Sequence, residues 1–410
     1  MERTLYRQRF MKLISQILFS VLVFYKANAQ NLPSLLLEKN INATFSITAY
    51  DEEAQEWGIA VATNNIYVGN STVYIEPGVG AFSVIADTEP AYALNGFKNL
   101  KDGMSIKDAI ELTKNKDEEW FYRQVAGLDK NGNAFAFTGQ ALEYWQGKSA
   151  HLVGKSFVVM GNQLADGVLE AMAKTFTEST GTLAERLVKS ITAGQNAGGQ
   201  IQGKQSAALA VKGTQNEWYN QIDLRVDDSK TPFEDLQKLL NYHYGRIRLN
   251  QAVSAIRKKN IEKGTILLAE AQKMLEGWNG IYPKISIAFL MLNDEKNAIA
   301  YIKKGLKENP NWKEYLPVFY CLKNQPEIAA LLNEKQFTDK DWTSATATLL
   351  TLGREKEALE ILSKKPSSPL YLVFAKAYQK QEKNNLAKEY ASKAVKLDTA
   401  NAEAKLILQQ

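Results

Sequence analysis

Between residues 44 and 226 apolar and polar positions alternate in short runs. Beyond about residue 248 apolar positions recur every three to four residues, so the pattern predicts a strand-rich first part and a helical second part. The clearest short-period run is Thr44–Tyr50, where Phe45, Ile47 and Ala49 alternate with Thr44, Ser46 and Thr48. Asp51-Glu52-Glu53 then turns the chain into a second predicted strand at Trp57–Thr63, giving a hairpin. Val73–Ile75 and Ala81–Ala86, on either side of Glu76-Pro77-Gly78, read as further strands. Helices are expected over Pro90–Leu100 and from a Ser105 cap to Lys114, with Asp108 in the first turn. Phe121–Asp129 and Asn133–Gly139, joined by Lys130-Asn131-Gly132, form a second hairpin, and Ser156–Met160 is a short strand. Helices over Gly167–Thr177 and Leu183–Ala193, strands at Gln205–Val211 and Trp218–Val226, and a helix from Pro232 complete the region. Strand and helix pairs in this order suit an α+β sandwich of two antiparallel sheets covered by helices.

In the second part the apolar positions repeat as a unit. Tyr371, Ala375, Tyr378, Ala387 and Ala394 have the spacing of a tetratricopeptide repeat, and Tyr282, Ser286, Phe289, Ala298, Gly305 and Pro310 follow the same offsets. Ala252, Ala255 and Ala271 form a weaker unit, and shorter helix pairs are expected around Leu316–Leu332 and Trp342–Leu362. Small residues let paired helices approach closely, and stacked pairs share one core. Such arrays present surfaces to peptides or proteins, and Tyr301, Lys304, Tyr315 and Tyr320 are candidates for that surface.

Composition narrows the chemistry. The single Cys321 excludes an intramolecular disulfide and a thiolate zinc cluster, and His151 and His243 are the only histidines, so no metal or cofactor is expected. Arg3, Arg7, Arg9 and Lys12, the apolar run Ile14–Tyr25 and Ala27-Asn28-Ala29 follow the order of a secretory signal, with cleavage expected before Gln30. The protein is therefore expected to be secreted or periplasmic, with no membrane span after signal cleavage. Net charge is +4 over residues 1–29, −7 over 30–247 and +8 over 248–410. The basic side chains are mostly Lys spread along helices, which does not point to nucleic acid. The expected organisation is a signal peptide at 1–29, a leader at 30–43, a sandwich at 44–245 and helical repeats at 246–410.

Several motifs are absent: no G-x-S-x-G elbow, no phosphate-binding G-x-x-x-x-G-K-[ST] loop and no H-E-x-x-H occurs. What remains is a set of short stretches. Thr44-Phe45-Ser46-Ile47, Gly78-Val79-Gly80-Ala81, Ala136-Phe137-Thr138-Gly139, Gly161-Asn162 and Gly194-Gln195-Asn196-Ala197-Gly198-Gly199 stand with Gly203-Lys204-Gln205-Ser206-Ala207-Ala208 and Ile222-Asp223-Leu224-Arg225-Val226-Asp227-Asp228. Together they resemble the family called domain of unknown function 1028, from about Thr44 to Leu240. That family is placed in the N-terminal-nucleophile (Ntn) hydrolase superfamily. The resemblance implies an Ntn-hydrolase-like αββα sandwich, followed here by an all-α tetratricopeptide-like domain, and amide-bond hydrolysis.

The resemblance puts the nucleophile at Thr44, whose own α-amine would serve as base. Signal cleavage leaves Gln30–Ala43 ahead of it, so a second cut at Ala43–Thr44 is required. No Lys or Arg lies between Lys39 and Lys98, so Lys204 or Arg225 would have to replace the basic partner that proteasome-like enzymes carry near the nucleophile. Asn65, Asp87, Asn162, Ser206 and Asp227 are the candidate catalytic neighbours, and Arg225, Lys204 and Thr138 the candidate substrate-binding residues. Asp223, Arg225 and Asp227 share one strand face, as either a buried ion-pair ladder or a carboxylate-binding Arg225. Two functions follow: an amidohydrolase acting on a small amide or peptide-derived compound, or an inactive Ntn-like scaffold whose helical repeats bind a protein partner.

Overall fold

The computed structural model describes residues 43–217 and 220–410, so the expected signal peptide and nearly all of the leader lie outside the described residues. Two compact units divide between Leu240 and Asn241.

Among the described residues the first unit has ten strands: β1 (Thr44–Asp51), β2 (Glu56–Thr63), β3 (Val73–Glu76), β4 (Gly80–Ala86), β5 (Arg123–Asp129), β6 (Ala134–Thr138), β7 (Lys148–Gly154), β8 (Phe157–Leu164), β9 (Ser206–Gly213) and β10 (Ile222–Val226). They form two antiparallel sheets, one six-stranded in the order β10-β9-β2-β1-β8-β7 and one four-stranded in the order β3-β4-β5-β6. Helices α1 (Ala91–Lys101) and α2 (Ile106–Lys114) pack on the smaller sheet, and α3 (Val168–Glu178) and α4 (Leu183–Asn196) on the larger. The Ser105 hydroxyl accepts from the Asp108 amide, as its capping position predicts. Gly58 admits α4 closely, since a Cβ there would lie 2.4 Å from Leu187 Cδ1.

The alternation in β1 has a meaning that its polarity conceals. Seven of its eight residues are buried. Phe45 turns toward the helices, stacking on Phe233 at 6.1 Å. Ser46 and Tyr50 turn toward the other sheet, where Ser83 Oγ donates to Ser46 Oγ at 3.0 Å and Tyr50 joins the core of Trp57, Ile59, Val61, Ile85, Leu128 and Met160. Thr44, Ser46 and Thr48 are therefore an internal polar seam; Thr44 and Ser46 have hydrogen-bond partners within the protein, and Thr48 Oγ1 has none among the described residues.

Strand β7 had no signal, because Lys148–Gly154 is only partly buried at the sheet edge and its register is interrupted between Lys148 and Ala150. The predicted strand start at Trp218 lies outside the described residues, and pairing in the last hairpin runs from Ile222.

Helix α5 (Pro232–Arg257) contains the division between the units. The second unit continues with α6 (Ile261–Met274), α7 (Tyr282–Met291), α8 (Glu295–Glu308), α9 (Asp339–Thr351), α10 (Glu355–Lys364), α11 (Ser368–Lys380), α12 (Asn384–Leu397) and α13 (Ala402–Gln409). Ala252, Ala255, Ala271, Ser286, Ala298, Ala375, Ala387 and Ala394 are all buried at helix contacts. A recurring device links the pairs: Lys259, Asn293, Gly353 and Glu382 each take positive φ in the turn before a second helix. The expected pair at Trp342–Leu362 forms. The expected pair at Leu316–Leu332 instead becomes a 3₁₀ stretch, Pro310–Leu322, kinked at Phe319, and one helical turn at Pro326–Ala329, because Pro317 interrupts the helical pattern. Tyr320 is buried there against Trp342, so it does not belong to the exposed surface expected of it; Tyr315 is exposed.

Candidate active site

Thr44 begins β1 in the middle of the larger sheet, in register with Thr63 on β2, which is itself in register with Ser206 on β9. Three hydroxyl residues thus lie side by side across three strands, all buried. Thr63 Oγ1 donates to the Ala43 carbonyl oxygen at 2.7 Å. Since its one hydrogen is used there, Thr44 Oγ1, 3.0 Å away, is the donor between the two hydroxyls. The Asn65 amide donates to Thr63 Oγ1 at 3.3 Å.

The peptide bond ahead of Thr44 is held at both ends. The Ala43 carbonyl receives a second hydrogen bond from the Asn64 amide at 3.2 Å, while Asn64 Oδ1 accepts from the Ala43 amide at 2.7 Å. On the other side the Thr44 amide donates to Asn162 Oδ1 at 3.1 Å. Two donors on a carbonyl oxygen, a hydroxyl beside it and an acceptor on the adjoining nitrogen are the groups that acyl transfer at that carbonyl needs. Gln202 ties the rim together, accepting from Asn64 Nδ2 at 3.0 Å and donating to Gln163 Oε1 at 2.6 Å. Ser206 Oγ, fully buried, has no hydrogen-bond partner among the described residues.

Behind Asn162 lies a second layer. Asn162 Nδ2 donates to Gln124 Oε1 at 3.2 Å, and Gln124 Nε2 reaches Thr138 Oγ1 at 3.0 Å. Thr138 Oγ1 lies 2.9 Å from His151 Nδ1, and burial holds the His151 pKa below its ordinary value.

Of the residues singled out from sequence, Thr44 and Asn162 are therefore in direct contact. Asn65 and Thr138 are one and two steps away, and Ser206 is two strands over. The others are engaged elsewhere. Asp87 pairs with Arg123 at 2.5 Å, in a cluster with Asp117 and Glu119. Burial disfavours the charged Asp117, but its hydrogen bonds to Arg123 prevail and hold its pKa low. Lys204 Nζ sits over the Phe233 ring at 5.4 Å. Arg225 pairs with Asp223 at 3.0 Å with both side chains about half exposed, so this is a surface pair and not a buried ladder. Arg225 lines a small cavity of about 70 Å³ with Gly69, Val73 and Ile75. Asp227 is exposed just past the end of β10.

Thr63, Asn64, Gln124 and His151 were not anticipated. The hairpin register would have revealed Thr63 and Asn64, because pairing Tyr50 with Trp57 sets Thr44 opposite Thr63. Nothing local marks Gln124 or His151, whose places depend on contact between sheets.

Residues 44–236 match the family model described as "Family of unknown function (DUF1028)", and residues 368–401 match a tetratricopeptide repeat. The chain is similar to the crystal structure of protein SPO2555 from Silicibacter pomeroyi, titled as a member of the same family, at 30% identity. That likeness covers 48% of this chain and 84% of the other, with a TM-score of 0.44. No curated protein matches.

Proposed function

The chain belongs to the family of unknown function DUF1028, and on that premise we propose that its first unit is an Ntn-type amidohydrolase with Thr44 as nucleophile. The observation that carries this reading is the double hydrogen bond on the Ala43 carbonyl, from Thr63 Oγ1 and the Asn64 amide, beside the Thr44 hydroxyl. In the uncut chain this arrangement supports attack by Thr44 Oγ on the Ala43 carbonyl carbon. The Thr44 hydroxyl proton passes to Thr63 Oγ1 as the Thr63 proton passes to the carbonyl oxygen. Collapse of the tetrahedral adduct breaks the C–N bond, returns a proton to the Thr44 nitrogen and leaves Ala43 esterified to Thr44 Oγ. Water then cleaves the ester to a carboxylate and a free Thr44. The acyl group of a substrate afterwards takes the place vacated by Ala43, with the same two donors on its oxygen and the Thr44 amine as base.

The two sheets between two helix layers support the αββα Ntn assignment. The substrate class is a small amide or peptide-derived compound. The n-region, h-region and A-x-A order at the N-terminus supports export, to the periplasm or beyond, with a first cleavage before Gln30. The tetratricopeptide match at residues 368–401 supports a protein partner for the helical repeats.

The test follows the cut by intact mass in purified chain beginning at Gln30. Wild type should lose residues 30–43, Thr44→Ser should do so more slowly, and Thr44→Ala should not. Thr63→Val should slow the cut by about 100-fold or more, the scale of losing one oxyanion donor. Wild-type protein that stays whole, or a cut that persists in Thr44→Ala, would overturn the reading.

A further inference from the structure

Gln124 is fully buried on β5. Its Nε2 lies 2.9 Å from the Ala150 carbonyl oxygen and 3.0 Å from that of Gly161. Backbone carbonyls only accept, so the amide nitrogen must face them and Oε1 must face the other way. Oε1 meets Asn162 Nδ2 at 3.2 Å, which turns Asn162 Oδ1 onto the Thr44 nitrogen. Thr138 Oγ1 lies 3.0 Å from the same Nε2, whose two hydrogens are taken by the carbonyls. The directions from Gln124 to Asn162 and from Asn162 to Thr44 are thus dictated by two carbonyl groups of the opposite sheet.

Resting on the reading of Thr44 as nucleophile, we propose that Gln124, held by the Ala150 and Gly161 carbonyls, is a positioning residue that locks the Asn162 side-chain oxygen onto the Thr44 nitrogen and thereby sets the basicity of the freed amine. The uncut chain presents a peptide N–H to this oxygen. The freed chain presents an amine that becomes an ammonium whenever it takes the nucleophile's proton. An acceptor favours the ammonium, and burial opposes it. Without Gln124, Asn162 can turn its Nδ2 toward the amine, which holds the lone pair and lowers the pKa.

The Thr44 nitrogen faces Asn162 on β8, with Thr63 at the end of β2 and Asn64 just past it on the other side of Thr44; none of these titrates in the working range. The titratable and charged groups on the surrounding elements are His151 on β7, Lys204 ahead of β9, and Arg123 with its partners Asp87, Asp117 and Glu119.

The test uses the full chain from Thr44 to Gln410, with everything ahead of Thr44 replaced by a specific protease site, so that the amine exists whether or not the protein cuts itself. The pKa of the Thr44 amine is read from the pH dependence of its reductive methylation by formaldehyde and cyanoborohydride, followed by mass spectrometry. Gln124→Leu should lower it by about one unit, as should Asn162→Ala, the scale of one hydrogen bond to a charged group. A Gln124→Leu value within about 0.3 units of wild type, where one unit is 1.36 kcal/mol, overturns the proposal. Should Gln124→Leu not fold, Gln124→Met, which keeps the length without the amide, decides: the same lowering is expected, and no shift overturns the proposal. An uncut wild-type chain would sink the hydrolase reading and leave this measurement standing; self-cleavage with no pKa shift would sink this inference alone.

Discussion

The two units bury polar groups in different ways. The first unit buries a connected set, Thr44, Ser46, Thr63, Ser83, Gln124 and Asn162, each hydrogen-bonded to another member or to backbone, beside Thr48 and Ser206, whose hydroxyls have no partner among the described residues. The repeat unit buries mostly alanine, leucine and aromatic rings, and two of its few buried hydroxyls, Ser286 and Thr346, have no partner among the described residues. A satisfied polar network inside a core fixes geometry, whereas an isolated buried hydroxyl merely tolerates its place. On the proposed reading, the contrast puts chemistry in the first unit and shape in the second.

The sharpest way to break this contrast is to substitute its central hydroxyl. Thr44→Ala should abolish the cut at Ala43–Thr44 altogether, as read by mass, while leaving both units folded by circular dichroism. Next in size is the buried cation. Arg123 is 7% exposed in its side chain and holds Asp87, Asp117 and Glu119, so Arg123→Ala takes the cation from the nearly buried Asp117 carboxylate. It should cost about 3–5 kcal/mol in urea unfolding of the first unit. In the repeat unit the largest effect should come from shape alone. A Cβ on Gly305 would lie 2.7 Å from the Trp312 ring, so Gly305→Val should cost about 1–3 kcal/mol and should leave self-cleavage unchanged.

Mild acid should act on both units, because burial holds His151 in the first and His243 in the second below their ordinary pKa, whereas Asp117 and Cys321 separate them. His151 and Asp117 both have lowered folded pKa values, so the unfolded chain binds more protons. The first unit should therefore lose stability as pH falls below about 6.5 through the His151 value, and again below about 3.9 through that of Asp117. Cys321 in the repeat unit is pushed up to about 11 by burial, so the unfolded chain releases its proton first. That unit should lose stability as pH rises from about 8.5 toward the folded value. Thermal melts across pH, resolved into two transitions, check both signs. The smallest effect belongs to Ser286→Ala, which removes an unpartnered hydroxyl and should change stability by no more than about 0.5 kcal/mol.

Much of the architecture was legible. Period-two alternation marks β1 and β2, Lys130-Asn131-Gly132 marks its hairpin, and the offsets from Tyr371 to Ala394 mark α11 and α12. The site was legible only as far as its strand. Thr44 and Asn162 carry recognisable motifs, but the clamp of Thr63 and Asn64 is a property of register, and Gln124 of one sheet facing another. The charged candidates lie elsewhere. Asp87, Lys204 and Arg225 stand out in sequence, yet each is occupied by an ion pair or a ring, while the groups around Thr44 are neutral amides and hydroxyls.

The central claim is that Thr44 becomes an N-terminus. N-terminal sequencing of the protein recovered from its native compartment tests it most directly. A mature chain beginning Thr44-Phe45-Ser46 is the predicted result, and a chain beginning only at Gln30 would contradict the account.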